Sequence, residues 1–250
     1  MKFRRLTILF PAIFALLPAY TGCKIEHNTG IPVPDVPANT RTINPAHRLG
    51  EVAWKTRHIQ KTATVKNDQK IIFIGDSITQ LWEQQGYDQW DEMETQFGDK
   101  LTNIGFSGDG TQHVIWRMQN GEFPAGINPE YAVIKIGTNN VDADSAEAIA
   151  AGIAKIAIMI NQISPQTKIL ICSILPRGNV TADARTRVIN AVNAILKTYD
   201  GHRNIQFIDL YDLYLNPDGS LNTGLFTDNL HLTAAGYEIW KDKIMEVIGD

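Results

Sequence analysis

Ser77 stands in Gly75-Asp76-Ser77-Ile78-Thr79, directly after the apolar run Ile71–Ile74. A serine at that place leaves a sheet edge and opens a helix. Free N–H groups and the positive end of the helix dipole meet there, and both suit an oxyanion. Such a serine can be a nucleophile. It can equally cap the helix, a role serine fills well. A nucleophilic serine needs a base, and Thr227-Asp228-Asn229-Leu230-His231-Leu232 offers one. Asp228 and His231 are three apart, so one turn can point both side chains the same way. Asp228 then accepts from one ring nitrogen and leaves the other free for the Ser77 proton. Of the 6 His, only His231 has an acid three residues before it. Acyl transfer through a covalent serine intermediate needs this set of groups.

Two further strand ends carry candidate donors. Gly105-Phe106-Ser107-Gly108-Asp109-Gly110 is a tight loop whose backbone can approach a ligand. Its spacing is G-x-x-G-x-G, not the G-x-G-x-x-G of a dinucleotide loop, so a Gly108 N–H serving an oxyanion is the better reading. Ser107 fails as a nucleophile elbow, since Asp109 stands where Gly is needed. In Gly137-Thr138-Asn139-Asn140 an Asn side-chain amide can be another oxyanion donor, or simply shape a turn. Leu175-Pro176-Arg177-Gly178 holds neither nucleophile nor base; Arg177 either lines the site or anchors the loop, and the anchor is the better reading. A glycosidase needs two carboxylates, for which Asp76 and Asp228 are the obvious candidates; a triad explains Asp228 better. No metal is expected: His58, His113 and His202 lack ligand spacing, and 2 Cys cannot build a thiolate zinc site.

These groups must be positioned by elements legible in the hydrophobic pattern. Apolar, β-branched runs at 71–74, 101–104, 132–136, 168–174 and 205–208 read as strands covered on both faces. Helical stripes fall between them: Ile149, Ile153, Ile156, Ile160 and Ile163; then Val188, Val192, Ile195 and Tyr199; then Tyr237, Trp240, Ile244 and Val247. A helix near 46–64 leads in, with Trp54 packing onto the sheet. The stretch 82–97, with Trp82, Tyr87, Trp90 and Phe97, reads as an aromatic-rich loop. Strand–helix alternation implies an α/β fold with a parallel sheet between two helical layers, and in such sheets sites lie at the carboxyl ends of the strands.

The ends of the chain add context. Lys2, Arg4 and Arg5 precede the apolar run Leu6–Tyr20, which is short for a membrane span. Residues 1–22 therefore read as a signal peptide. Gly22-Cys23 resembles a lipobox, which makes Cys23 a lipidation candidate. Residues 23–45, polar and carrying Pro32, Pro34, Pro37 and Pro45, read as a flexible tether, and 46–250 as one catalytic domain. The expected location is export, as a membrane-anchored lipoprotein of a bacterial cell envelope, otherwise periplasmic or secreted. Cys172, in an apolar run, reads as an inert core thiol. With 44% hydrophobic and 20% charged residues the 250-residue chain is neither fibrous nor a disulfide miniprotein. A net charge of −4 argues against a nucleic-acid partner. Contact with a membrane is expected only through the N-terminal lipid, and oligomeric state is not legible.

The four blocks around Ser77, Gly108, Asn139 and Asp228-x-x-His231, in that order, resemble the SGNH (GDSL) hydrolase superfamily. The match is closest to the branch of the platelet-activating-factor acetylhydrolase catalytic subunits. The stretches that carry it are Gly108–Asp109, His113–Arg117, Gly137–Asn140, Leu175–Gly178 and Leu230–Thr233. The resemblance spans roughly residues 54–245. It implies a flavodoxin-like three-layer sandwich with a five-stranded parallel sheet, and ester hydrolysis without metal or cofactor. Ser77, His231 and Asp228 would be catalytic, with Ser77, Gly108 and Asn139 forming the oxyanion hole. The expected substrate is a small-molecule or glycan ester with a short acyl group, acetyl above all, on a carbohydrate or other polar carrier. The alternatives are a lipase or lysophospholipase, which shares the triad and differs in its pocket, and a non-catalytic surface-binding lipoprotein.

Overall fold

The computed structural model describes residues 30–65 and 67–249. The signal peptide and Cys23 lie outside the described residues.

Five parallel strands form the centre: β1 (Ile71–Gly75), β2 (Leu101–Gly105), β3 (Tyr131–Lys135), β4 (Lys168–Cys172) and β5 (Ile205–Ile208), in the order β2-β1-β3-β4-β5. Seven α-helices accompany them among the described residues: α1 (Val52–Thr64), α2 (Ser77–Gln80), α3 (Tyr87–Phe97), α4 (Thr111–Arg117), α5 (Ala146–Ile163), α6 (Ala184–Lys197) and α7 (Ala234–Ile248). Side chains alternate across a strand, and each strand here feeds two cores. Ile72 and Ile74 of β1, Ile134 of β3 and Ile171 of β4 pack with the apolar stripes of α5 and α6. Ile71, Phe73, Val133 and Leu170 pack on the other side with Trp82, Trp90, Trp240 and Ile244. Continuous apolar runs are what burial on both faces demands. The result is the expected α/β three-layer sandwich.

Two sequence expectations change. Tyr87–Phe97 is helix α3, not loop. Trp90 and Met93, three apart, bury one face of it beside Trp82, and Trp82 is itself fully buried. Aromatic residues at that spacing are packing rather than a platform. The second change concerns the tether. Its described part, from residue 30, includes Ile31, Thr42 and Ile43, all buried, and a short 3-10 turn over Arg41–Ile43. Thr42 Oγ1 donates to the Ala148 carbonyl at 2.5 Å, and Thr111 Oγ1 donates to the Thr42 carbonyl at 2.9 Å. Lys155 Nζ reaches the Ile43 carbonyl at 2.6 Å, and Arg41 pairs with Asp144. Prolines and polar residues suppressed the expectation of packing, yet two isoleucines and a threonine suffice to seat the segment across α4 and α5. The packed domain therefore begins upstream of residue 46.

Candidate active site

β1 is the central strand of the β2-β1-β3 triplet, so the loops after its neighbours flank its carboxyl end. The chain turns there from Gly75 into α2. A Cβ on Gly75 would stand 2.0 Å from Thr79 Oγ1 and 2.3 Å from the Lys135 carbonyl, so no other residue fits. Gly105 is equally closed, its Cβ position lying 2.3 Å from the Gln80 nitrogen. Two glycines thus let α2 sit directly on the strand ends. Asp76 is the N-cap of α2, its Oδ1 accepting from the Ile78 N–H at 3.0 Å. Because Asp76 caps the helix, the Ser77 hydroxyl is not needed for that task. The capping task open to Ser77 thus falls to Asp76, which at 1% exposed is not a surface carboxylate.

The freed hydroxyl lies 2.9 Å from His231 Nε2, and His231 Nδ1 lies 2.7 Å from Asp228 Oδ2. The turn carrying both partners is strongly pinned. Asp228 Oδ1 accepts from the His231 N–H at 2.7 Å and the Leu230 N–H at 3.1 Å. Asn229 takes the left-handed φ of 61° that Asn tolerates. The Thr227 N–H donates to the His231 carbonyl at 2.7 Å, and Leu232 is fully buried behind it. The Gly178 N–H donates to the Asn229 carbonyl at 2.9 Å, joining the Arg177 loop to the same turn. Burial acts to raise the Asp228 carboxyl, but the backbone and ring hydrogen bonds from His231 outweigh it and hold Asp228 below the usual carboxylate range. It is therefore ionised at neutral pH beside the His231 ring.

Gly108 follows β2 with φ 78°, and Asn139 follows β3. Asn139 Nδ2 donates to the Asp109 carbonyl at 2.9 Å, which ties the two loops together and leaves its second N–H available. Its neighbour Asn140 is fully buried and structural. It accepts from the Thr111 N–H at 3.1 Å and donates to Asp144 at 2.9 Å and Gln112 at 3.1 Å. Arg177 Nη1 donates to the Thr138 carbonyl at 3.0 Å and its hydroxyl at 3.2 Å, acting as the expected anchor.

Beneath these loops lies a buried charge network that the sequence reading did not assemble. Asp109 Oδ1 accepts from Trp54 Nε1 at 2.8 Å and Arg48 Nη1 at 2.9 Å, and its Oδ2 accepts from Arg117 Nε at 2.8 Å. Arg117 continues to Glu122, whose other oxygen lies 2.6 Å from His58 Nδ1. The Arg117 guanidinium also donates to the carbonyls of Ile104 and Gly75 and lies 3.9 Å over the Phe106 ring. A second buried pair sits under Ser77. Desolvation pushes the Asp76 carboxyl up against the opposing Lys135 charge, and desolvation pushes Lys135 down. Arg117 and Asp109 were visible only as members of family-like stretches; Lys135 gave no signal, since it sits inside an apolar strand.

A model described as the GDSL-like Lipase/Acylhydrolase family matches residues 73–239. The human platelet-activating factor acetylhydrolase IB subunit alpha2 is 36% identical over 191 residues, covering 75% of this chain and 80% of that protein. The human alpha1 subunit is 34% identical over 192 residues, covering 75% and 79%. Among solved structures, a putative acylhydrolase from Bacteroides fragilis superposes with a TM-score of 0.65 at 22% identity, over 80% of this chain and 97% of that one. An acetyl-xylooligosaccharide esterase variant from Geobacillus superposes with a TM-score of 0.58 at 18% identity, over 75% and 97%. At those identities the two structures speak for the fold.

Proposed function

The chain belongs to the GDSL-like lipase/acylhydrolase family and is a carboxylic ester hydrolase, and from that premise we propose a short-chain, acetyl-type serine esterase acting on a carbohydrate or other polar carrier. The observation that carries the mechanism is the chain Ser77 Oγ, His231 Nε2, His231 Nδ1, Asp228 Oδ2, with contacts of 2.9 and 2.7 Å. His231 takes the Ser77 proton as Oγ attacks the ester carbonyl. Asp228 accepts the Nδ1–H, keeping the ring in the tautomer whose Nε2 is basic and stabilising the imidazolium. The tetrahedral oxyanion is held by the N–H groups of Ser77 and Gly108 and by the free N–H of the Asn139 amide. Collapse expels the alcohol, which takes the proton from His231. Water, deprotonated by His231, then releases the acid from Ser77.

One observation supports a small acyl group: the relatives at 36% and 34% identity are named acetylhydrolases. Removal of Lys2, Arg4 and Arg5 with residues 1–22 leaves a more acidic chain, which disfavours an anionic polymer as carrier. Export through residues 1–22 and lipidation at Cys23 complete the reading.

Ser77→Ala should abolish hydrolysis of p-nitrophenyl acetate in a folded protein; a wild-type rate would remove the triad. A p-nitrophenyl ester series should peak at acetyl or propionyl. A peak at octanoyl or longer would favour a lipase. Cys23→Ala should release the protein from the membrane fraction, and unchanged fractionation would remove the anchor.

A further inference from the structure

We propose that Arg48, delivered by the N-terminal segment, is the positioning residue for the Gly108 oxyanion donor; the inference rests on the triad and oxyanion reading above. The argument begins with one peptide unit. The Gly108 N–H and the Ser107 carbonyl belong to the same planar group, and the described peptides are all trans. A trans peptide holds its C=O and N–H in one plane, pointing opposite ways. Whatever captures the Ser107 oxygen therefore sets the direction of the Gly108 N–H. Arg48 Nη1 captures it, donating at 2.7 Å. The Ser107 N–H is held in turn by Gln80 Oε1 at 2.7 Å, so the peptide cannot swing freely about either side.

The guanidinium also lies against the glycine. A Cβ at position 108 would stand 3.1 Å from Arg48 Nη1 and 3.2 Å from Nη2, and φ there is 78°. The backbone turn calls for glycine, and any side chain there would push the guanidinium back by a few tenths of an ångström. The bond from Arg48 is charge-assisted, and a cation on the carbonyl polarises the whole amide, making its N–H a better donor. No acceptor takes that N–H in a backbone bond among the described residues. The donor is aimed, polarised and left open.

Arg48 is itself fixed from two directions. Glu51 accepts from its Nε at 2.8 Å and its Nη2 at 2.6 Å, and Asp109 accepts from Nη1 at 2.9 Å. The segment before it is seated by Thr42, Ile43 and Arg41 as described, and by the Ala46 N–H donating to the Gln112 carbonyl at 3.1 Å. That segment touches both donor loops: Arg48 holds the Gly108 peptide, and Arg41 holds Asp144, which accepts from Asn140 beside Asn139. Residues that read as a spacer on composition thus brace the site.

The test compares wild type, Arg48→Met, Arg48→Gln and Ser77→Ala on p-nitrophenyl acetate. Active sites are counted by stoichiometric reaction of Ser77 with an organophosphonate, and folding is followed by circular dichroism. Arg48→Met should lower kcat per titrated site by about 10–10²-fold, less than the ~10²–10³ of deleting a donor, with KM changed by no more than about twofold. Arg48→Gln keeps an N–H for the Ser107 oxygen without the charge, and should fall between. A merely structural role would lower Tm and the number of titratable sites while leaving turnover per site at the wild-type value, and that result overturns the proposal. Should Arg48→Met not fold, Arg48→Gln decides alone: reduced kcat at constant KM supports the proposal, and wild-type kcat overturns it. Activity in Ser77→Ala would instead defeat the triad reading, whereas an inactive Ser77→Ala beside a fully active Arg48→Met defeats only the role of Arg48.

Discussion

Arg117→Met removes one charge from the network under the site while keeping most of the side chain's length. Its consequences can be worked contact by contact. The guanidinium and the two carboxylates it bridges, Asp109 and Glu122, are all 0% exposed. Without it, Asp109 keeps Arg48 at 2.9 Å and Trp54 at 2.8 Å, both on Oδ1, while Glu122 keeps only His58 at 2.6 Å. The carbonyls of Ile104 and Gly75 lose donors at 3.1 and 3.3 Å. Removing one member of a buried ion pair costs about 3–5 kcal/mol, because the other charge stays behind uncompensated. The surviving partners place Arg117→Met near the lower end, about 3 kcal/mol, still a large share of the roughly 5–15 kcal/mol that stabilises a domain. In thermal unfolding this corresponds to a Tm lower by roughly 6–12 °C for a chain of this size. Adding Glu122→Gln should restore part of the loss, since the stranded charge is then gone. The assay is urea or thermal unfolding of the three proteins. A loss below about 1 kcal/mol for Arg117→Met, or a further loss on adding Glu122→Gln, would refute the claim that buried charge compensation holds these strand ends.

Three other outcomes follow from the same structure. Asp228→Asn should lower kcat by about 10²–10⁴-fold through loss of the tautomer-holding acceptor, and a change under threefold would disqualify Asp228 as the orienting residue. The Asp228 carboxyl is depressed in the folded protein, so its stabilising ionisation is present above the unfolded value of about 3.9 and lost only as pH falls through the lower folded value. Asp228→Asn and wild type should therefore diverge in stability at neutral pH and converge in strong acid, as pH-dependent Tm would record. A chain started at residue 46 should be less stable than one started at residue 30 by at least about 3 kcal/mol, from unburying Ile31 and Ile43; equal urea midpoints would show that the segment does not pack in solution. Burial pushes the Cys172 thiol up to about 12. Its peptide should stay unlabelled by iodoacetamide at pH 8 until the protein is unfolded, and rapid native labelling would contradict the packing of β4 against α7.

How much of this was legible depended on whether a signal repeats. β1, β3, β4 and β5 are four or five residues of mostly apolar sequence, β2 keeps Leu101 and Ile104 around Thr102 and Asn103, and α5 carries isoleucines at 149, 153, 156 and 160. Periodicity of that strength survives any local context, so the layers and the strand ends followed from the sequence. The positions of Ser77 and of Asp228 with His231 followed as well, because strand ends in a parallel sheet converge and a three-residue spacing suits one turn. Helix α3 was missed for the complementary reason. Its buried face is only Trp90 and Met93, with acids and glutamines around them, and the pattern needs the Trp82 and Tyr237 neighbours to make sense.

The charge network was illegible for a deeper reason: its energy depends on distance in three dimensions, and sequence separation carries no trace of it. Arg48 and Asp109 are 61 residues apart, Trp54 and Asp109 are 55, and His58 and Glu122 are 64. Read singly, Arg48, Asp109 and Glu122 are surface charges and His58 a lone histidine, for which solvation is the better expectation. Only the fold converts them into mutual partners, and it does so where the demand is greatest. At the carboxyl ends of β1 and β2 the Arg117 guanidinium donates to the Gly75 and Ile104 carbonyls, and Gly75 accepts in addition from the Phe106 N–H at 3.1 Å. Under the proposed mechanism the Gly108 N–H must stay free, so it cannot share that task. The buried guanidinium supplies donors from below, and two buried carboxylates keep its charge tolerable. The polar interior thus braces the strand ends that carry the proposed site, and it leads back to Arg48, whose charge serves Asp109 on one side and the Ser107 carbonyl on the other.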